Sequence, residues 1–172
     1  LTMDARTALR YELASAFEQT GNMDQAVDLF EQIIEHDPKM HGQVNLAAVH
    51  YQRQEFDQAR ELYEQAEKLA RRDPQILCEL ARIDLQQGAN DEAVKRLRQV
   101  VRRQSENAEA HLLLGDAYLA QNRLDVAAAE YDTASKLAAE GYVHTIGGRW
   151  NIETVALRIF TGQSTMRTAT IG

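Results

Sequence analysis

The sequence predicts an all-α protein, a solenoid of stacked helix-turn-helix repeats, and two observations carry this prediction. Alanines recur at intervals of 33, 34 and 34 residues, at Ala26, Ala59, Ala93 and Ala127. The residues before each alanine recur in the same register, as Asp-Gln, Asp-Gln, Asp-Glu and Asp-Val. A fixed period of this length indicates a solenoid, because one short unit cannot bury its own apolar face whereas stacked neighbours can.

Helical spacing of apolar residues defines each element. In the first helix the apolar residues at this spacing are Leu9, Leu13, Ala16 and Phe17, and we expect their face to be buried. Gly21 suits the left-handed residue that ends a helix, and a proline follows the second helix at Pro38. Continued along the chain, the pattern predicts eight helices, over about 4–19, 23–36, 40–53, 56–71, 75–87, 91–104, 108–121 and 124–139.

The repeats resemble the tetratricopeptide repeat (TPR) family, whose unit is a 34-residue helix-turn-helix. The segment Leu114-Gly115-Asp116-Ala117-Tyr118 carries the Leu-Gly-x-x-Tyr signature of the first helix of that family. The resemblance covers residues 7–141 and implies a right-handed superhelix of four repeats, at about 7–40, 41–73, 74–107 and 108–141. It implies small residues where helices approach closely, at Ala14, Ala47, Ala81 and Gly115, and large residues between repeats, at Phe30, Tyr63, Leu97 and Tyr131.

Three positions depart from the family pattern. Gln54 stands in the turn of the second repeat, where the other repeats have Gly or Asn, so we expect a less relaxed turn. Three more residues separate Ala59 from Pro74 than separate Ala26 from Pro38, which predicts nearly one extra turn of helix. Asp84 replaces a typical aromatic residue and predicts weaker core packing.

Residues 142–172 differ in composition from the repeats. They hold six of the ten threonines, no lysine and a single acidic residue, Glu153. The Gly147-Gly148 pair predicts a β-hairpin turn, although a helix over 151–160 fits almost as well. This tail is interpreted as a capping element, an irregular extension, or the start of a truncated second domain.

Composition excludes several classes of function. A net charge of −7 argues against a nucleic-acid partner, and no apolar stretch is long enough for direct membrane insertion. Cys78 is the single cysteine, and the histidines match no metal-binding spacing. We therefore predict no catalytic residues, no metal and no cofactor. A basic run on the sixth helix could instead form a small anion-binding patch, but such runs are usually solvated faces; it comprises Lys95, Arg96, Arg98, Arg102 and Arg103.

The resemblance also implies a binding site, because first helices of this family line a concave groove that holds a peptide. Acidic and apolar residues at the corresponding positions predict a basic and apolar ligand. The alternative is that these positions are simply the solvated sides of helices. The predicted groove residues are Tyr11, Glu12, Ser15, Glu18, Asn45, Ala48, Tyr51, Gln52, Cys78, Glu79, Arg82, Leu85, Glu109, Leu112, Asp116 and Leu119.

The function that follows is a protein-interaction adaptor or scaffold that binds a partner segment within a bacterial multiprotein assembly. The partner is a protein or peptide, or the positively charged segment 142–172 of the same or a neighbouring molecule. The alternative is an accessory TPR module of a larger enzyme or sensor whose catalytic domain lies beyond the sequence. Either a cytoplasmic or a periplasmic location fits.

Overall fold

The computed structural model describes residues 5–36 and 40–139, which form two compact units that divide between Ile83 and Asp84. The described residues contain eight α-helices, as predicted, and the predicted bounds lie within two residues of the observed ones. The helices are α1 (Ala5–Gln19), α2 (Met23–His36), α3 (Met40–Gln52), α4 (Phe56–Leu69), α5 (Pro74–Gln86), α6 (Asn90–Arg103), α7 (Ala108–Ala120) and α8 (Leu124–Ala139). The segment 142–172 lies outside the described residues. Its predicted hairpin or helix and its predicted role as a ligand therefore stay predictions.

In the first unit each helix packs on the next, from α1 to α4. The small residues predicted at close approaches in this unit, Ala14, Ala47 and Ala81, are fully buried, as are the recurring alanines Ala26 and Ala59, which lets backbones come together. One cluster joins α1, α2 and α3 through Ala14, Ala26, Phe30, Ile33, Leu46 and Val49. A second joins α3, α4 and α5 through Ala47, Ala59, Tyr63, Ala66, Ile76, Leu80 and Ile83.

In the second unit α6 packs on α7 and α7 packs on α8. Ala93, Leu97 and Ala127 are fully buried, as the repeat pattern predicts. Gly115 of α7 lies directly against the ring of Tyr131 of α8. The small-and-large pairing that the sequence predicted therefore governs the packing of both units.

The turn within each repeat contains one residue in the left-handed conformation. Gly21 (φ 80°), Gln54 (φ 63°), Gly88 (φ 75°) and Asn122 (φ 58°) occupy equivalent positions. Glycine tolerates this conformation because it lacks the Cβ that crowds the following carbonyl oxygen, and asparagine tolerates it because its short polar side chain can hydrogen-bond locally. The structure therefore agrees with the less relaxed turn predicted at Gln54, because a residue with a side chain adopts a backbone conformation there that favours glycine.

We expect Gln54→Gly to stabilise the first unit by about 0.5 kcal/mol. The substitution removes about 1 kcal/mol of left-handed strain, and the greater freedom of glycine in the unfolded chain offsets part of that gain. Urea denaturation followed by circular dichroism measures the change. Gln54→Ala is the control, since it keeps the Cβ; equal stability of the two variants would contradict the explanation by strain.

The prediction of a longer second helix in the second repeat is wrong. Helix α4 has 14 residues, the same length as α2 and α6. The additional residues form the connection to α5 instead, where Arg72 adopts a positive φ of 58°. The helix ends at Leu69, and the next residue, Ala70, has a φ of −122° and a ψ of 78°, which are not helical.

The predicted buried face of α1 is wrong for three of its four residues. Leu9, Leu13 and Ala16 are exposed, whereas Phe17 is half-buried and packs against the core cluster, and Thr7 and Ala14 are buried. The helix turns the face centred on Thr7 and Ala14 toward α2. The apolar stripe at Leu9, Leu13 and Ala16 lies on a different side of the helix, which no other described residues cover.

Candidate peptide-binding site

The first helices of the third and fourth repeats begin at capped positions. The carboxylate of Asp73 accepts hydrogen bonds from the backbone N–H groups of Gln75 (2.9 Å) and Ile76 (3.3 Å) at the start of α5. The side chain of Asn107 accepts one from the N–H of Ala110 (2.9 Å) at the start of α7. Such caps satisfy amides that the helix leaves unpaired, so they fix where the site-bearing helices begin.

In the first unit the structure brings predicted groove residues of adjacent repeats together. The side-chain amide of Gln52 on α3 donates a hydrogen bond to the carboxylate of Glu18 on α1. Ser15 and Asn45 are half-buried on the same two helices, and Glu12 is exposed. The first helices therefore present a joined polar face, which we call the α1–α3 face and define by Glu12, Ser15, Glu18, Asn45, Ala48 and Gln52.

The two aromatic residues predicted as ligand anchors are partly used in packing. The ring of Tyr11 lies 6.1 Å from that of Phe30, and the ring of Tyr51 contacts Phe56 edge-on at 5.4 Å between centroids. Both tyrosines are half-buried and lie against the core clusters of the first unit. They stabilise the α1–α3 face and leave only part of each ring to a ligand.

The acidic character of the predicted site is partly compensated on α5. The guanidinium Nε of Arg82 lies 3.5 Å from a carboxylate oxygen of Glu79, one turn earlier on the same helix. Both side chains are largely buried, which strengthens their attraction relative to a pair in water. Among the predicted groove carboxylates of the first unit, Glu12 of α1 is therefore the one most exposed to solvent.

Sequence reasoning missed one polar network beside this face. Nδ1 of His50 lies 2.6 Å from the carboxylate of Glu55, and Arg53 pairs with both Glu55 and Asp24. The hydrogen bond with His50, followed by the charge of Arg53, holds the pKa of Glu55 below its ordinary 4.5. A depressed carboxyl pKa contributes stability above that ordinary value, and the contribution is lost as pH falls through the folded-state pKa. The network joins α2 to the turn after α3.

In the second unit the predicted residues divide between surface and interior. Asp116 accepts a hydrogen bond from the hydroxyl of Tyr131 (2.8 Å), which orients its carboxylate on α7. Leu85, Glu109 and Leu119 are half-buried. Leu112 is buried, as is Cys78 in the first unit, so the prediction that these two line an open face is wrong. Both side chains are small or apolar and lie on the packed side of their helices. The position within the family repeat did not distinguish this packed side from the side that faces a ligand.

The basic run of α6 is engaged within the second unit. Arg96 donates to Asp84 (2.8 Å), Arg98 donates to the hydroxyl of Tyr118 (3.0 Å), and Lys95 pairs with Glu92. The guanidinium of Arg123 also lies over the Tyr118 ring, 4.7 Å from its centroid. These contacts support the interpretation of the run as a structural and solvated face.

Neither a metal-binding cluster nor a membrane-spanning helix is found in the described ranges. Within residues 5–36 and 40–139, no group of three or more histidine, cysteine, aspartate or glutamate side chains is arranged to hold a metal ion. In the same part of the chain, no helix combines the length and hydrophobicity needed to cross a bilayer.

Comparison with known families decides the classification. A tetratricopeptide repeat family model matches residues 11–76 and 78–141, and a second tetratricopeptide repeat model matches residues 50–104. The chain belongs to the tetratricopeptide repeat family. A comparison with curated proteins finds no match.

Solved structures of bacterial TPR proteins share the fold. MamA (residues 41 to the end) from Desulfovibrio magneticus RS-1 is 17% identical with a TM-score of 0.71, covering 97% of this chain and 98% of its own. PilF of Pseudomonas aeruginosa is 21% identical with a TM-score of 0.74, covering 94% and 69%. A thermophilic TPR protein of Thermus thermophilus is 18% identical with a TM-score of 0.73, covering 91% and 81%. At these identities the likeness concerns the fold.

Proposed function

We propose that this chain is a non-enzymatic scaffold that binds a basic and apolar segment of a partner protein within a bacterial assembly. The observation that carries the proposal is the α1–α3 face, where two first helices are joined by the bond from Gln52 to Glu18 and present carboxylates to solvent. A preformed face lowers the entropic cost of binding, because its side chains are ordered before the ligand arrives. The bacterial setting is supported by the organisms of the solved relatives.

The ligand chemistry follows from the side chains of the face. Carboxylates at its rim attract lysine and arginine side chains and raise the association rate. The exposed parts of Tyr11 and Tyr51 accept apolar or cationic groups, since aromatic faces bind both. A segment that alternates basic and apolar residues satisfies these features, whereas an acidic segment meets like charge.

A selection from a displayed random-peptide library against the full chain tests the proposal. We expect enriched peptides to be basic and apolar. Their affinity should fall about tenfold in the variant Glu12→Lys/Glu18→Lys, which corresponds to about 1.4 kcal/mol of lost electrostatic attraction. Fluorescence anisotropy with a labelled selected peptide measures the change.

A matched control separates the face from net charge. Glu31 and Glu64 are exposed on the second helices α2 and α4, so Glu31→Lys/Glu64→Lys makes the same change in net charge away from the α1–α3 face. Its affinity for the peptide should stay within twofold of that of the parent chain. Equal weakening in both variants, or enrichment of acidic peptides, would contradict the proposed face.

A further inference from the structure

The first repeat exposes an apolar stripe that all the other repeats bury. Leu9, Leu13 and Ala16 lie on one side of α1, and the two leucines are 70% and 47% exposed. We call these three residues the front face. Three apolar side chains in one stripe along a helix form a surface that normally packs against another element.

Equivalent positions in the other repeats show what covers such a face. The residues that correspond to Leu13 are Leu46, Leu80 and Leu114, which are 4%, 0% and 1% exposed. Those that correspond to Leu9 and Ala16 are also buried in every other repeat, at Gly42, Ile76, Ala110, Val49, Ile83 and Ala117. The front face is therefore the copy of a packing surface that is used three times within this chain.

The covering element is the second helix of the preceding repeat. Leu46 and Val49 of α3 share a core cluster with Phe30 and Ile33 of α2, and Gly42 lies close to Ile34. Leu80 of α5 shares a cluster with Tyr63 of α4 in the same way. The element that fits the front face is thus a second helix of a TPR unit.

The chain has such a helix with its covering side exposed, α8. In α2 the side that faces the following repeat includes Met23, Val27 and Ile34, which pack against the core cluster of the first unit. The equivalent positions in α4 and α6 are likewise buried or half-buried. They are Phe56, Arg60, Glu67, Asn90, Val94 and Val101. In α8 all three equivalents are exposed, and we call them the rear face: Leu124, Ala128 and Ser135.

We propose that copies of this chain associate head to tail, with the rear face of one copy covering the front face of the next. The contact reproduces between molecules the α2–α3 packing that exists within one. It joins two different surfaces, so it leaves one front face and one rear face open at the ends of every assembly. Association therefore grows with concentration rather than stopping at a dimer, unless the rotation between copies closes a ring.

Sedimentation velocity of the full chain over a wide concentration range tests the proposal. We expect the average mass to rise above 19.4 kDa as concentration increases. The variants Leu9→Glu/Leu13→Glu and Ala128→Glu should each remain monomeric at every concentration, because each blocks one of the two faces with buried charge. Both change exposed residues, and circular dichroism checks that each variant keeps its helix content and melting temperature.

Mixing the two blocked variants distinguishes head-to-tail association from other contacts. Each variant keeps one intact face, so an equimolar mixture should give a complex of twice the monomer mass that grows no further. Ala8→Glu/Gln25→Glu and Ala129→Glu place the same charges at other exposed positions of α1, α2 and α8 and should associate like the parent chain.

Three outcomes would overturn the proposal. The parent chain could stay monomeric at all concentrations. The Ala128→Glu variant could associate as the parent does, which would indicate a contact between two front faces. The mixture of blocked variants could fail to form a pair although each is folded.

Discussion

Gly115→Val is expected to destabilise the second unit by about 3 kcal/mol, near the upper end of the usual cost of overpacking a core. A Cβ at this position would lie 2.9 Å from Cζ of Tyr131 and closer still to two other ring carbons. The ring cannot easily retreat, because Tyr131 is buried and its hydroxyl donates to Asp116. Helices α7 and α8 must therefore separate, which opens the packing of the whole repeat.

Gly115→Ala adds the same Cβ without the two methyl groups of valine, so it should cost less, about 1 kcal/mol. Alanine gains about 1 kcal/mol over glycine inside a helix, which offsets part of the steric cost. The second repeat, which has Ala47 and Tyr63 at the equivalent positions with both fully buried, shows that one helix pair holds this combination. Urea denaturation, with hydrogen exchange of α7 and α8 amides, measures the effect in the second unit.

Repeating both glycine substitutions in a Tyr131→Leu background tests the cause. Leucine is the residue at the equivalent position of the third repeat, Leu97, where Ala81 stands in place of Gly115. Removal of the ring should reduce the cost of Gly115→Val by at least half, since contacting residues are not additive. The same cost in both backgrounds would show that contact with Tyr131 is not the cause.

Much of this fold could be predicted because the information is local and repeated. The alanines at Ala26, Ala59, Ala93 and Ala127 are all fully buried, and each large residue four positions later fills the adjacent space. The same steric requirement applies in each repeat, so the same types of residue recur at four equivalent positions and together predict the fold more strongly than one repeat would. Even the left-handed turn at Gln54 was indicated by the Gly and Asn at the equivalent positions.

The failures share a physical cause, which is that burial depends on neighbours in space. Leu13 has the helical register of Leu46 and Leu80, but a preceding second helix covers those residues, whereas the described residues include no such helix before α1. Likewise, Leu112 and Cys78 take groove positions in the family register yet lie in the interior. In sequence alone, residues 70–73 are compatible with either a longer helix or a loop. The structure shows a loop, with non-helical dihedral angles at Ala70 and a positive φ at Arg72.

Asp84 shows how a departure from the family pattern can be compensated. It was expected to weaken packing, and the structure buries it to 2% exposure with its carboxylate 2.8 Å from Nε of Arg96. The residues at the corresponding positions of the first repeat are Phe17 and Leu29, an apolar pair. The third repeat has thus replaced an apolar contact between its two helices by an ion pair.

Asp84→Ala should destabilise the second unit by about 2 kcal/mol. Removing one partner of a buried pair typically costs about 3 to 5 kcal/mol, because the other charge stays desolvated. We expect less here, since Arg96 is 21% exposed and can regain some solvation. Asp28→Ala is the control, an exposed aspartate in the middle of α2, and it should change stability by less than about 0.5 kcal/mol.

Replacing both partners distinguishes the ion pair from the space it fills. Asp84→Phe/Arg96→Leu installs the pair of the first repeat, and we expect a chain as stable as the parent or about 1 kcal/mol more stable, because apolar replacements of buried ion pairs are often neutral or stabilising. Hydrogen exchange of α6 and α7 amides reports on the second unit. If the double variant is less stable than Asp84→Ala alone, the ion pair does more than substitute for apolar packing, and the geometry of this repeat depends on the charges themselves.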